Sequence, residues 1–238
     1  MKTVLITGAS RGIGAAAAQL FANRGYRVAV NYHRSRREAE ALAGELGGIA
    51  VQADVSDPAQ VQKMVDNVLE KFCQLDILVC NAGIAQQKLF GDLTDADWRH
   101  MFGVNVDGMF YTIRAVLPHF IHNKAGRIIT VSSMWGQVGA SCEVAYSASK
   151  AAVIGLTRAL AKELGPSGIT VNCVAPGVIA TEMNAHLDAS ALETLREETP
   201  LGAIGTPRDA AESICFLASE AAQFITGQVI APNGGLVI

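Results

Sequence analysis

The stretch Val4-Leu5-Ile6-Thr7-Gly8-Ala9-Ser10-Arg11-Gly12-Ile13-Gly14 decides how the chain is read. An apolar run over 4–7 gives way to glycines, and a helical stretch over 15–23 ends at Gly25. This is a strand, a turn and a helix in the order a doubly wound sheet requires. The alternation repeats outward. Residues 27–31 read as a strand, 36–46 as a charged helix and 49–53 as another strand. Ser56-Asp57-Pro58 is a helix start, with Val61, Met64, Val65 and Val68 following at helical spacing. A strand over 76–80 precedes one or two long helices over 93–114, extending to 123, with Thr94 as N-cap. Strands over 127–132 and 169–175 flank an Ala- and Leu-rich helix over 145–164. Short helices over 189–198 and 208–219 and a strand over 228–231 complete the chain. The roughly seven strands are mostly apolar along their whole length, as in a parallel sheet buried on both faces. The expectation is an α/β protein: one doubly wound (Rossmann) domain over 1–238, with helices on both faces.

Composition narrows the function classes. The 238 residues are 50% hydrophobic and 17% charged, enough for a core and unlike a disordered chain. A net charge of −3 offers no basic excess for nucleic acid. No apolar run approaches the ~18–20 residues needed to cross a bilayer, and the stretch before Gly8 is too short for a signal peptide. The five cysteines, Cys73, Cys80, Cys142, Cys173 and Cys215, form no C-x-x-C pair and no metal cluster. His33, His100, His119, His122 and His186 are dispersed and read as surface residues. A reducing, cytoplasmic setting without metal fits this pattern.

Glycines at Gly8, Gly12 and Gly14 let the backbone turn tightly and approach a pyrophosphate, and the following helix offers free N–H groups. The T-G-x-x-x-G-x-G spacing differs from G-x-G-x-x-G. A merely structural turn is the competing reading, and the position at the first strand–helix junction favours dinucleotide binding. The second strand ends Asn31-Tyr32-His33-Arg34, with no carboxylate to take a ribose 2′-hydroxyl. Arg34 and Arg11 instead suit a 2′-phosphate and point to NADPH/NADP+. The alternative is that Arg34, Arg36 and Arg37 only begin a solvated helix.

Tyr146 and Lys150 stand four apart at the start of the 145–164 helix, on one face. An ammonium beside a phenol lowers its pKa from ~10. Such a tyrosine can pass a proton to a carbonyl oxygen as hydride arrives. Ser133 ends a strand upstream and can bond the same oxygen.

Taken together, Thr7–Gly14, Asp54-Val55, Asn81-Ala82-Gly83, Asn105, Ser133, Tyr146, Lys150 and Pro176-Gly177-Val178-Ile179-Ala180-Thr181 resemble the short-chain dehydrogenase/reductases, in that family's order and spacing. The resemblance covers essentially the whole chain. It implies Tyr146 as general acid and Ser133 as the group that orients the carbonyl. Lys150 would lower the tyrosine pKa and hold the nicotinamide ribose, and Asn105 would anchor a water in a proton relay. It implies a cofactor cradle of Gly8, Ser10, Arg11, Gly12, Ile13, Gly14, Asn31 and Arg34. Asp54 and Val55 would meet adenine, and Asn81, Ala82 and Gly83 would line the cofactor. Pro176, Gly177, Ile179 and Thr181 would hold the nicotinamide end. Cys80 departs from the pattern, where many members carry a second Asn. Read without the family, Asn81 and Asn105 are also plausible caps. Met134 and Trp135 are either core or substrate-cleft residues, and Cys142 either touches substrate or is a small buried hydrophobe.

Within the family, Ile225-Thr226-Gly227-Gln228 and Asn233-Gly234-Gly235 resemble bacterial 3-oxoacyl-carrier-protein reductases. Lys124 matches one basic docking residue of that group, but Ser167 and Ala203 replace arginines, which weakens attraction for an acidic carrier. The segments Ala85-Gln86-Gln87-Lys88-Leu89-Phe90 and 135–144 instead resemble reductases of a 5-aminopentanone carried on elongation factor P. Glu143 would then pair with the substrate amine, or it is simply a carboxylate at a helix N-terminus. A non-catalytic nucleotide-binding scaffold on the same fold is the alternative of another class. The resemblance further implies a homotetramer or homodimer, built on the two long helices and the last strand.

Overall fold

A computed structural model describes residues 1–184 and 188–238, so His186 lies outside the described residues. Seven strands form one wholly parallel sheet in the order β3-β2-β1-β4-β5-β6-β7. They are β1 (Thr3–Ile6), β2 (Arg27–Tyr32), β3 (Ile49–Gln52), β4 (Ile77–Cys80), β5 (Gly126–Val131), β6 (Ile169–Val174) and β7 (Val229–Ile230). The main helices are α1 (Gly12–Asn23), α2 (Arg36–Glu45), α3 (Pro58–Phe72), α4 (Asp95–Phe102), α5 (Gly108–Asn123), the single turn α6 (Trp135–Val138), α7 (Val144–Leu164), α8 (Ala189–Glu198) and α9 (Pro207–Leu217). Among the described residues no helix is long and apolar enough to cross a membrane.

Register explains the unbroken apolar strands. Ala29, Leu5, Leu78, Ile128 and Val171 lie in one row and face a core built with α3, α5 and α7. Val28, Val4, Ile77 and their i+2 neighbours face the other side, against Phe21 of α1, Leu42 of α2 and Ile214 of α9. Each strand alternates between two apolar cores, so no polar face remains.

The helix starts follow capping chemistry. Asp57 caps α3, its Oδ1 accepting from the N–H groups of Ala59 (2.8 Å) and Gln60 (3.2 Å), with Pro58 in the first turn. Thr94 and Asp97 form a reciprocal capping box at α4. The 93–123 stretch is α4 and α5 joined by a π-helical turn over Gly103–Asp107. Helix α1 starts earlier than the apolar pattern suggests, at Gly12, because the Arg11 carbonyl already accepts from Ala15 N–H at 3.2 Å. The α6 turn has no signal in the sequence pattern.

The sheet order reverses between β1 and β4. Connections after these strands leave in opposite directions and open a crevice at their carboxyl ends.

Candidate active site

The glycine loop after β1 is fastened on both sides. Thr7 Oγ1 accepts from the backbone N–H groups of Asn81 and Ala82, both at 3.0 Å. The Asn81 side-chain amide donates back to the carbonyls of Thr7 (2.9 Å) and Gly8 (3.0 Å). From β2, Asn31 Oδ1 accepts from Gly8 N–H at 3.1 Å, while its Nδ2 donates to the carbonyls of Val51 and Ala53. Gly8 has φ +61°, and a Cβ there would stand 2.8 Å from Ala82 Cα. Gly14 brings α1 so close that a Cβ would meet Asn81 Nδ2 at 2.6 Å. The loop is held from both sides, with Gly8 and Ala9 N–H bonded to Asn31, and it precedes the α1 N-terminus, the kind of site where an anion binds.

A cleft of about 660 Å³ follows this loop, lined by Gly8, Ser10, Arg11, Gly12, Ile13, Asn31, Arg34, Asp54, Val55, Asn81, Ala82 and Gly83. Gly14 lies behind it and serves packing. Asp54 accepts from Ser56 N–H (2.9 Å) and Oγ–H (2.7 Å), which fixes its carboxylate at the cleft wall. A second cleft of about 280 Å³ adjoins the first through Ile13, Asn81, Gly83 and Thr181. Ser133, Tyr146, Lys150, Pro176, Gly177 and Ile179 line it, with Met134, Trp135 and Glu143. Met134 is buried and still reaches this wall, so core and cleft roles coincide there.

Asn105 sits fully buried in the π-helical turn, behind the cleft. Its Oδ1 accepts from Ile84 N–H at 2.9 Å, and its Nδ2 donates to the Ile84 carbonyl and to Ser149 Oγ, both at 3.0 Å. A Cβ on Gly83 would stand 3.2 Å from both Asn105 Oδ1 and Lys150 Nζ, so the two side chains meet at one backbone point. Lys150 Nζ donates to the Val131 carbonyl at 2.9 Å and lies 5.7 Å from the centroid of the Tyr146 ring.

In the chain alone, burial governs the Tyr146 phenol and moves it opposite to the lowering expected from Lys150. Burial pushes Tyr146 up to about 12, against an opposing hydrogen bond with Ser133, and the Glu143 carboxylate adds to the rise. Burial also pushes Lys150 down to about 8. Desolvation is the largest influence on both groups because both are shut from water, and the Lys150 ammonium is bonded to a carbonyl. Among the described residues no three His, Cys, Asp or Glu side chains could share a metal ion.

Comparison with known proteins agrees with this geometry. A family model described as enoyl-(acyl carrier protein) reductase matches residues 8–237. The chain is 41% identical over 240 residues to a 3-oxoacyl-[acyl-carrier-protein] reductase of Staphylococcus aureus, covering 99% of this chain and 98% of that protein. A 3-oxoacyl-[acyl-carrier-protein] reductase of Synechocystis is 42% identical over 243 residues, covering 100% and 97%. A crystal structure of a short-chain dehydrogenase/reductase (glucose/ribitol dehydrogenase) from Brucella melitensis superposes with a TM-score of 0.94 at 36% identity, covering 100% of this chain and 97% of that one. The chain belongs to the short-chain dehydrogenase/reductase family.

Membership implies a nicotinamide cofactor, and the crevice fits one. Gly8 and Gly14 let the loop pack against Ala82 and Asn81, and the larger cleft runs from Arg34 and Asp54 to Gly83 and Thr181, where it adjoins the cleft that carries Tyr146. Sequence reading missed several residues that build this short-chain dehydrogenase/reductase site. Thr7 was only part of a motif, yet its hydroxyl is the hinge between two strand ends. Ser149 joins Asn105 to the Tyr146 carbonyl, to which it donates at 2.7 Å. Ser132 Oγ–H donates to the Lys150 carbonyl at 2.7 Å and pins α7 to β5. Thr7 opens the glycine motif, and Ser132 sits directly beside Ser133, which the motifs do name.

Proposed function

We propose that this protein is an NADPH-dependent ketoreductase that converts a 3-oxoacyl thioester, carried on acyl carrier protein, to the secondary alcohol. The observation that carries this reading is the convergence of Ser133, Tyr146 and Lys150 on one wall, beside the cleft that starts at the glycine loop. NADPH, when bound, supplies the hydride. A pKa of about 12 keeps the Tyr146 phenol protonated across neutral pH, so its O–H is available to a carbonyl oxygen. Ser133 offers a second hydrogen bond to that oxygen and polarises the C=O bond. Lys150 and Asn105 hold the floor of the site and the path by which the phenol regains its proton. Arg11, Arg34 and Ser35 at the larger cleft favour a 2′-phosphate, because no carboxylate stands at the end of β2.

A second substrate is favoured by one specific feature. Glu143 lines the smaller cleft beside Tyr146 and receives a hydrogen bond from Gln87 Nε2 at 3.4 Å. Its charge reaches Tyr146. A carboxylate there suits a ketone bearing an amine, such as the 5-aminopentanone group on modified elongation factor P. Five free cysteines among the described residues support a cytoplasmic enzyme.

The test is NADPH oxidation with matched concentrations of a 3-oxoacyl thioester and a small amino ketone. Thioester turnover alone supports the main reading. Amino-ketone turnover alone, lost in Glu143→Ala, replaces it with the second. Tyr146→Phe is expected to lower turnover about 10²–10⁴-fold; full turnover by this variant would take Tyr146 out of catalysis, and no turnover of either ketone by the unmodified chain would leave only a nucleotide-binding scaffold.

A further inference from the structure

Arg11 leaves the glycine loop at the mouth of the larger cleft, and its guanidinium is shared between two rims. On one side Nη1 donates to Ser35 Oγ at 3.4 Å, just past the end of β2. On the other, Nε stands 3.1 Å from Glu182 Oε2, on the segment that leaves β6. That segment is folded. The Asn184 side chain donates to the Ile179 carbonyl at 2.8 Å, and Asn184 N–H donates to Thr181 O at 3.0 Å. It also lies against the loop, since a Cβ on Gly12 would meet Thr181 Cγ2 at 3.5 Å. Glu182 is thus an anion fixed at the rim, facing the cation assigned to the phosphate.

We propose that Glu182 lowers the preference for a 2′-phosphorylated cofactor by competing with the ribose 2′-phosphate for Arg11. The inference rests on the NADPH reading above. A guanidinium engaged with a carboxylate must give up that contact, or share it, to take a phosphate oxygen fork-on. The carboxylate also repels a dianion entering beside it. Both effects fall on a 2′-phosphorylated ligand and spare one without that phosphate. Both partners are well exposed, at 62% and 70% of their side-chain surface, so the effect is modest and salt-sensitive. Arg34, His33, His100, Asp54 and Tyr32 also line this cleft, and His33 lies 3.6 Å from the Asp54 carboxylate.

The experiment is isothermal titration calorimetry of the full chain with adenosine 2′,5′-bisphosphate and with adenosine 5′-monophosphate. Glu182→Gln is expected to tighten the bisphosphate about two- to five-fold and to leave the monophosphate unchanged, with the gain shrinking at high salt. Arg11→Ala should weaken the bisphosphate and abolish the effect of adding Glu182→Gln. Equal binding of both probes by the unmodified chain and by Glu182→Gln alike would overturn the NADPH reading and this inference with it. Preference for the bisphosphate, unaltered by Glu182→Gln, overturns the inference alone.

Discussion

Lys150 shows how burial sets the chemistry of a single residue. Its ammonium is enclosed and bonded to the Val131 carbonyl, and burial brings it from 10.5 down to about 8. The sign for stability follows. Below about pH 8 the lysine is charged in both folded and unfolded chains, and only the folded chain bears the cost of burying the charge. Between about 8 and 10.5 the folded chain sheds its proton first, the unfolded chain holds more protons, and this group makes stability rise with pH. Tyr146 works in the opposite sense only above its ordinary value of 10.0, where the folded chain keeps a proton the unfolded chain has lost. Lys150→Met is therefore expected to raise stability most at neutral pH, by an amount on the order of 2 kcal/mol offset by the lost hydrogen bond. The advantage should narrow from pH 8 to 10. Thermal unfolding of both chains across this range measures it, and a pH-independent difference would contradict the assignment.

At the scale of elements, the joint between the glycine loop and β4 turns on one hydroxyl. Thr7 Oγ1 accepts two backbone N–H bonds, from Asn81 and Ala82. Thr7→Val keeps the volume and leaves both donors without that acceptor at a mostly buried position. The expected loss is about 2–3 kcal/mol, read by urea unfolding, with weaker nucleotide binding because the loop amides lose their fixed orientation. Unchanged stability would show that the Asn81 side chain and the Thr7 N–H bond to the Val79 carbonyl suffice to hold the joint. This joint also marks the limit of what the sequence reveals. Regular elements announce themselves through apolar period and caps, as Asp57 and Thr94 did for α3 and α4. The positions of Gly8, Ser133, Tyr146 and Lys150 were legible because chemistry fixes residue type and spacing together. The π-helical turn at Asn105, the α6 turn and the Thr7 hinge were not. They depend on contacts between segments far apart in the chain, such as Thr7 to Asn81 and Asn105 to Ser149. The Tyr146 pKa went the other way from the expectation for the same reason, since burial is a property of the packed molecule and not of a four-residue spacing.

At the scale of the whole molecule, apolar side chains remain on the outside of the elements expected to form subunit contacts. On α4 and α5, Trp98, Phe110 and Ile121 are exposed, and Arg114 stacks over Phe110 at 4.8 Å and Tyr111 at 5.6 Å. Near the last strand, Phe216 and Ile238 are open to water, and Phe224 is 99% exposed. Scattered apolar residues are ordinary on a surface, but aromatic rings gathered on neighbouring turns point to covered faces. Two separate faces of this kind suit a tetramer with two kinds of two-fold contact. We therefore expect light scattering after size exclusion to give four times 25.0 kDa for the unmodified chain. Phe110→Glu places a charge at the centre of one face and should reduce the assembly to dimers, because the face around Phe224 is left intact. Phe224→Glu should do the same through the other face, and the double variant should yield monomers. Neither side chain lines the clefts around Tyr146 and the glycine loop, so nucleotide binding should survive in all three variants. A monomeric unmodified chain, or a Phe110→Glu tetramer, would show that these rings face water in solution.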